Sequence, residues 1–500
     1  MNHLTSFRFE IVAEDGAARA GIIHTPHGDI MTPTFTVVGT HGYVKFLPPD
    51  VLAGLGTQAM LCNGYHLFRH ADRVEKDGGL AAAFGWNGPT ITDSGGFQAM
   101  SLGSGLGKVI SMDRDDIADP RRPAPVSERL ARVSDEGVLF RHPSDGRLDL
   151  FTPEVSIKAQ FQLGADIIMA FDELTSIGDS YAYNVQALER TERWAERSLA
   201  MIRQLQAEAV GVVSVTDADR VERLLANFRV GREGAGSGAT TRPTLFAGST
   251  AQKSYQALYG ILQGAHYRDL RQATARNLGA MDFDGYGLGG AFEKEQLGDI
   301  LNWTNTILPS HKPRHLLGLA RPDDIFVGVT RGIDTFDCVS PTREARHGRL
   351  YTVDGHINVM RSRYTDDPNP IDPTCDCPTC AGEIAAQARN DGTGQGRNDG
   401  TGQAHNDGTG QARKDKLLAS SQTDLRRGQN GSGGASISRG EIRHLLKSQS
   451  QADRQRGYQY TSAHNVRFIL RLMENIRANI TQGTLAEFQA DFLAKYYGQP

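Results

Sequence analysis

The 500-residue chain has little cysteine, no excess of either charge and no long apolar run, and each shortage removes a class of protein. Five cysteines cannot build the dense disulfide framework of a small secreted scaffold. A formal charge of −4 excludes a basic coat spread over the whole surface, so any nucleic-acid contact has to come from a local patch. No segment approaches the ~18 apolar residues of a membrane span. The N-terminal MNHLTSFRFEIVAEDG lacks the apolar centre of a secretory signal. The expectation is a cytoplasmic protein without a membrane partner.

What is present begins with short apolar or β-branched runs, each followed by a stretch able to form a helix. They cover residues 34–39, 58–64, 90–96, 166–173, 258–264, 285–290, 315–320 and 333–339. Apolar runs without strict alternation suit parallel strands buried on both faces. Eight of them, alternating with helical stretches, favour a closed (β/α)8 barrel over an open sheet. The spacing predicts helices over Pro153 to Leu163 and Gln186 to Leu205. Two stretches read as insertions, near 102–132 and 205–245, from their Gly-rich, weakly periodic composition.

The barrel is expected to fill residues 1–372 and a second unit residues 373–500. Inside the second unit, 383–436 reads as a disordered linker in which RNDGTGQ at 389 and 397 returns as HNDGTGQ at 405. Order resumes with an amphipathic helix over Ser462 to Asn479, and Thr484-x-x-Glu487 is a capping box opening a last helix.

The chemistry lies at the carboxyl ends of the runs, where Asn63, Asp93, Asp172, Gln263, Gly290 and Asp337 would converge on the face that holds barrel active sites. Paired carboxylates are what glycosyl transfer needs, one to attack the anomeric carbon and one to handle the leaving group's proton. Asp172 and Gln263 together can read the edge of a heterocyclic base, with Phe97 stacking on it. After Asp337, residues 342–348 form a loop carrying Arg343, Arg346 and His347, suited to a polyanion. Cys375, Cys377 and Cys380 are three thiolates at turn spacing that need a fourth ligand to close a structural zinc site. His405, His444 and His464 are candidates; His464, in the first turn of the amphipathic helix, is favoured because ordered backbone can hold it.

Seven ordered blocks carry a family resemblance: TDSGGFQ (92–98), IIMAFDE (167–173), LQG (262–264), FDGYGLGG (283–290), LLGLARPDD (316–324), RGIDTFDCVSPTREARHG (331–348) and CDCPTC with the His-Asn at 464. Together they resemble the tRNA-guanine transglycosylases of the bacterial type. The resemblance implies an irregular (β/α)8 barrel with a C-terminal zinc-binding subdomain holding one structural Zn2+. It implies exchange of guanine at the wobble position of tRNAs with a GUN anticodon for a 7-deazaguanine, preQ1 or queuine, in queuosine biosynthesis, by a homodimer.

Residue by residue, the resemblance makes Asp337 the nucleophile toward ribose C1′ and Asp93 the general acid/base. It places the base among Asp93, Ser94, Gly95, Gly96, Phe97, Asp172, Gln263, Gly290 and Leu317. It gives tRNA contacts to Gly318, Arg321, Asp323, Thr342, Arg343 and Arg346, and zinc ligation to Cys375, Cys377, Cys380 and His464. Three features depart from the family pattern: the turn GGAFEKE (289–295) with Ala291, Phe292, Glu293 and Lys294, Leu174 after the MAFDE block, and the long excursion between Cys380 and His464. The alternatives are a noncatalytic tRNA-binding partner subunit and a related transglycosylase using another deazaguanine or DNA.

Overall fold

The computed structural model describes residues 7–97, 130–141, 146–209, 254–382 and 436–498. The insertions expected near 102–132 and 205–245 and the linker expected at 383–436 lie outside the described residues, apart from their edges. The chain enters through an antiparallel sheet of β1 (Arg8–Asp15), β2 (Ala18–Thr25) and β3 (Gly28–Thr32). It then lays down β4 (Thr34–Val38), β5 (Met60–Cys62) and β6 (Thr90–Thr92), the first three barrel strands. A second antiparallel sheet follows, β7 (Ala131–Val133), β8 (Val138–Arg141) and β9 (Leu148–Phe151).

The barrel resumes with β10 (Ile167–Met169), β11 (Ala257–Leu262), β12 (Gly285–Leu288), β13 (Arg314–Leu316) and β14 (Thr335–Cys338). These eight parallel strands close in the order β10-β11-β12-β13-β14-β4-β5-β6. Each of the eight apolar runs therefore supplies one barrel strand. The alternation along them divides inside from outside. Leu61, Ile91, Ile167, Met169, Ala257, Tyr259 and Ile261 cluster with Ile23 and Ile30 of the N-terminal sheet, which closes the lower end. Phe35, Val37, Cys62, Leu258, Leu262, Leu288 and Phe336 belong to the larger cluster formed with the outer helices. The interior is tight between β11 and β12, where a Cβ on Gly285 would lie 2.6 Å from the Tyr259 ring and one on Gly287 2.5 Å from Ile261 Cδ1. The glycines of GYGLGG leave room for their neighbours' side chains, each of which stabilises by about 1.5–3 kcal/mol when buried.

The helix at Pro153–Leu163 forms where the spacing placed it, capped by Thr152. The helix expected over Gln186 to Leu205 runs longer, Tyr181–Ala209. The cationic segment after Asp337 is a helix, Ser340–Arg346, and not a loop. Pro341 in its first turn presets the backbone, and Asn465 Nδ2 donates to the Pro341 carbonyl at 3.0 Å, tying it to the C-terminal region.

Beyond the barrel, the hairpin β15 (Arg349–Thr352) and β16 (Gly355–Asn358) leads to a short helix at Pro378–Ala381. After residue 436 come helices Arg439–Lys447, Gln451–Gln482 and Leu485–Tyr497. The long one begins at Gln451, capped by Ser450, so His464 lies in its middle and not in its first turn. The last helix starts where expected but without the capping box. Thr484 donates its hydroxyl to Asn479 Oδ1 at 2.8 Å, and the Leu485 N–H is taken by Asp15 Oδ2 of β1 at 3.0 Å. The long helix is bound to the barrel through Arg477, which donates to the Pro33 carbonyl at 2.8 Å. No helix among the described residues is long and apolar enough to cross a membrane.

Candidate active site

The strand ends bring two carboxylates together in different surroundings. Asp93 follows β6; Gly64 N–H donates to its Oδ1 at 2.8 Å and Asn63 Nδ2 to its Oδ2. Burial outweighs these two donors, and with the charges of Asp337 and Asp172 it pushes the Asp93 carboxyl up to about 7. Asp93 can therefore carry or release a proton near neutrality, the condition for general acid/base work. Asp337, on β14, has one oxygen occupied and one open. Oδ1 accepts from Gly318 N–H at 3.1 Å and lies 3.0 Å from His315 Nε2. Oδ2 has no hydrogen bond within the described residues.

Beside them lies a buried acid–amide pair. Asp172, buried at 6% exposure, accepts from Ser94 Oγ at 2.7 Å and from Gln263 Nε2 at 2.7 Å. Burial pushes its carboxyl up to about 6 against those two donors. Gln263 Oε1 is buried and unpartnered within the described residues, an acceptor waiting for a donor. Gly96 is required by this packing, since a Cβ there would stand 2.3 Å from Asp172 Oδ1. Ser94 Oγ also accepts from Gly96 N–H at 3.0 Å, so the Asp93-Ser94-Gly95-Gly96 turn is built onto Asp172. Phe97 leaves the turn 41% exposed, and Leu317 Cδ1 would lie 3.4 Å from a Cβ on Gly289, next to Gln263.

Away from the barrel mouth, Cys375, Cys377, Cys380 and His464 are all buried, with their donor atoms within 4.8 Å of one another. His464 Nδ1 lies 3.5 Å from the sulfurs of both Cys377 and Cys380, while Nε2 meets the Tyr351 carbonyl at 2.6 Å. A carbonyl only accepts, so Nε2 carries the proton and Nδ1 presents a lone pair to the thiolates' side. Hydrogen bonds from Cys377 and Cys380 hold the Cys375 thiol far below its ordinary range. Three sulfurs and one oriented imidazole fit a closed, structural zinc site. His444 is on the surface, and His405 lies outside the described residues.

Comparison with known proteins agrees with this geometry. A family model described as queuine tRNA-ribosyltransferase matches residues 14–230, 239–389 and 422–498. The queuine tRNA-ribosyltransferase of Roseiflexus sp. (strain RS-1) is 35% identical over 495 residues, covering 97% of this chain and 98% of the relative. Those of Geobacillus kaustophilus (strain HTA426) and Pelotomaculum thermopropionicum (strain DSM 13744 / JCM 10971 / SI) are each 33% identical, over 98% and 99% of this chain and 97% and 99% of the relative. The chain belongs to the queuine tRNA-ribosyltransferase family. Its members are pentosyl transferases.

Within this family member, the remaining expected contacts fall into two groups. Arg343 and Arg346 are three residues apart on the Ser340–Arg346 helix, both partly exposed, and Arg343 Nη2 reaches Ser340 Oγ at 3.4 Å. Thr342 is buried and donates to the Val339 carbonyl at 3.3 Å. Arg321 precedes the helix Pro322–Thr330. Asp323 is bonded to Lys294 and to Tyr497 Oη, so the divergent turn is fastened to the RPDD segment. In that turn Ala291 and Phe292 are buried, and Glu293 and Gln296 form a capping box. Leu174 is buried as well, 9% exposed.

Two site residues escaped the sequence reading. His315 sits inside an otherwise apolar run, and its polarity was the available signal. Arg271, on helix Arg268–Gly279, is fully buried and has no carboxylate partner among the described residues. It donates to the carbonyls of Ala265, Leu262 and Gly289, fixing the backbone that presents Gln263 and Gly290. Burial lowers its guanidinium to about 9. Nothing in an amphipathic helix pattern distinguishes such a cation from a solvated one.

Proposed function

We propose that this chain exchanges guanine at the wobble position of GUN-anticodon tRNAs for a 7-deazaguanine, preQ1 or queuine, through a covalent ester between Asp337 and the ribose. The observation that carries the reading is the pairing of Asp93, poised near neutrality, with Asp337, whose Oδ2 has no hydrogen bond among the described residues. In the first step Asp337 attacks C1′ and Asp93 gives a proton to the departing guanine. In the second, Asp93 takes the proton of the incoming base, which displaces the ester.

Asp172 and the open Gln263 Oε1 offer two acceptors to the donor edge of a guanine-like base, next to the Gly290 backbone and between Phe97 and Leu317. Arg321, Arg343 and Arg346 hold tRNA backbone, with Gly318, Asp323 and Thr342 shaping that surface. Residues 1–372 serve as the catalytic barrel and 373–500 as the subdomain whose zinc is held by Cys375, Cys377, Cys380 and His464. Zinc would fix the hairpin and long helix that support the Ser340–Arg346 helix. The enzyme works in the cytoplasm as a homodimer.

The test is Asp337→Asn. Wild-type protein mixed with unmodified tRNA should give a complex that survives denaturing electrophoresis and release guanine, and the variant should give neither. An adduct retained by the variant overturns the nucleophile assignment.

A further inference from the structure

His315 lies on β13 in register with Thr335 of β14, 1% exposed. Its Nδ1 is 2.8 Å from Thr335 Oγ1 and its Nε2 is 3.0 Å from Asp337 Oδ1. Thr335 and Asp337 are two positions apart on one strand and project to the same side, so the imidazole bridges both from the neighbouring strand. The partners decide the proton's place. An ionised carboxylate only accepts, whereas a hydroxyl can donate, so Nε2–H points at Asp337 and the Thr335 hydroxyl donates to Nδ1. Gly318 N–H is a second donor to the same oxygen at 3.1 Å. Two donors on Oδ1 and none on Oδ2 within the described residues make the two carboxylate oxygens inequivalent.

We propose that His315 is a positioning residue for the covalent chemistry, pinning Oδ1 so that Oδ2 is the oxygen that attacks ribose C1′. The inference rests on the reading of Asp337 as nucleophile. In the first step an Oδ2 electron pair forms the C1′–O bond while the C1′–N9 pair leaves with guanine, which takes its proton from Asp93. Oδ1 becomes the ester carbonyl oxygen. In the second step the incoming base's N9 pair forms the new C–N bond, its proton passes to Asp93, and the C1′–Oδ2 pair returns to the carboxylate. Hydrogen bonds to a carboxylate are about twice as strong as those to a neutral carbonyl. The His315 and Gly318 donors therefore favour departure of Asp337 in the second step, while in the first step their contribution is alignment.

Side-chain reach supplies the test. A glutamine amide at 315 reaches the position of Nε2, whereas an asparagine amide reaches only that of Nδ1, and both preserve a polar group of similar bulk. His315→Asn should lower kcat about a hundredfold, the usual effect of removing one donor from an oxygen on which charge develops, here Oδ1 as the ester reverts to carboxylate. KM for tRNA should stay within about twofold, because His315 makes no part of the tRNA-binding surface. Isolated covalent adduct of this variant should be resolved more slowly by added free base. His315→Gln should recover most of both losses. Asparagine and glutamine variants of equal kcat, or a change carried by KM for tRNA alone, would overturn the proposal. Asp337→Asn serves as the parallel arm. If it abolishes the adduct while His315→Asn behaves as wild type, the nucleophile reading stands and the His315 inference fails; an adduct persisting in Asp337→Asn removes both.

Discussion

The side-chain amide of Asn63 is shared between a helix start and Asp93. Its Oδ1 accepts from the His66 N–H at 2.9 Å, which fixes the flip of the amide and turns Nδ2 toward Asp93 Oδ2. A cap that elsewhere only satisfies backbone here also lowers the carboxyl of Asp93 against the effect of its burial.

Replacing Asn63 by Ala removes a donor that favours the charged form of Asp93, so its carboxyl should move up from about 7. Departure of guanine needs the protonated acid, so kcat/KM for tRNA should fall as pH rises past about 7 in the wild type, and this limb should shift to higher pH in Asn63→Ala. Loss of the cap should also cost about 1 kcal/mol of stability. Profiles of kcat/KM between pH 6 and 9 check the claim, and superimposable limbs would sever Asn63 from the acidity of Asp93.

How much of this was visible in the residues depends on whether a signal was local. The eight strands were legible as short apolar runs ended by Gly or a polar residue, and Asn63, Asp93, Asp172, Gln263 and Asp337 were legible as polar groups at five of those ends. His315 was not, because one imidazole in HLLGLA does not interrupt an apolar pattern and its partners come from a different strand. The Ser340–Arg346 helix read as a loop because it carries no side-chain cap; Pro341 and the amide of Asn465, more than a hundred positions away, hold it. The Thr484 capping box failed because Asn479, near the end of the preceding helix, engages both of its groups: its carbonyl accepts from the Thr484 N–H at 2.9 Å and its Oδ1 from the Thr484 hydroxyl at 2.8 Å.

The zinc-fitting cluster leads to a prediction about the long excursion that interrupts it. Ile437 N–H donates to the Thr379 carbonyl at 3.1 Å, and Arg439 N–H to the Asn369 carbonyl at 2.8 Å, so the chain returns beside the point from which it left. Closing a loop costs about 1.5RT ln n, and shortening 383–435 to a few Gly and Ser residues should stabilise the fold by roughly 2 kcal/mol or less. The shortened protein should keep one zinc per chain by elemental analysis and wild-type exchange activity. In the full chain, His464→Ala should lose zinc and lower the unfolding midpoint. Zinc lost from the shortened protein would show that the excursion supplies a ligand, with His405 the candidate.

Arg343 and Arg346 test the reading of the segment after Asp337. Three residues apart on one short helix, they present two guanidinium groups on the same side, beyond the strand that carries Asp337. Burial and, after it, the charge of the neighbouring Arg343 depress the Arg346 guanidinium, so the two like charges lie close enough to repel. Such a pair is costly in the free protein and is relieved by a polyanion. Removing one guanidinium from a phosphate should reduce the slope of log binding constant against log salt by about 0.7–0.9. Arg343→Ala and Arg346→Ala should each weaken tRNA binding most at low salt and flatten that slope, while leaving the single-turnover rate at saturating tRNA within about threefold, because neither group touches the reacting atoms. Filter-binding titrations over roughly 50 to 300 mM salt measure the slope. A fall in affinity with the slope unchanged would mean that the arginines act through the packing of the helix and not on phosphate.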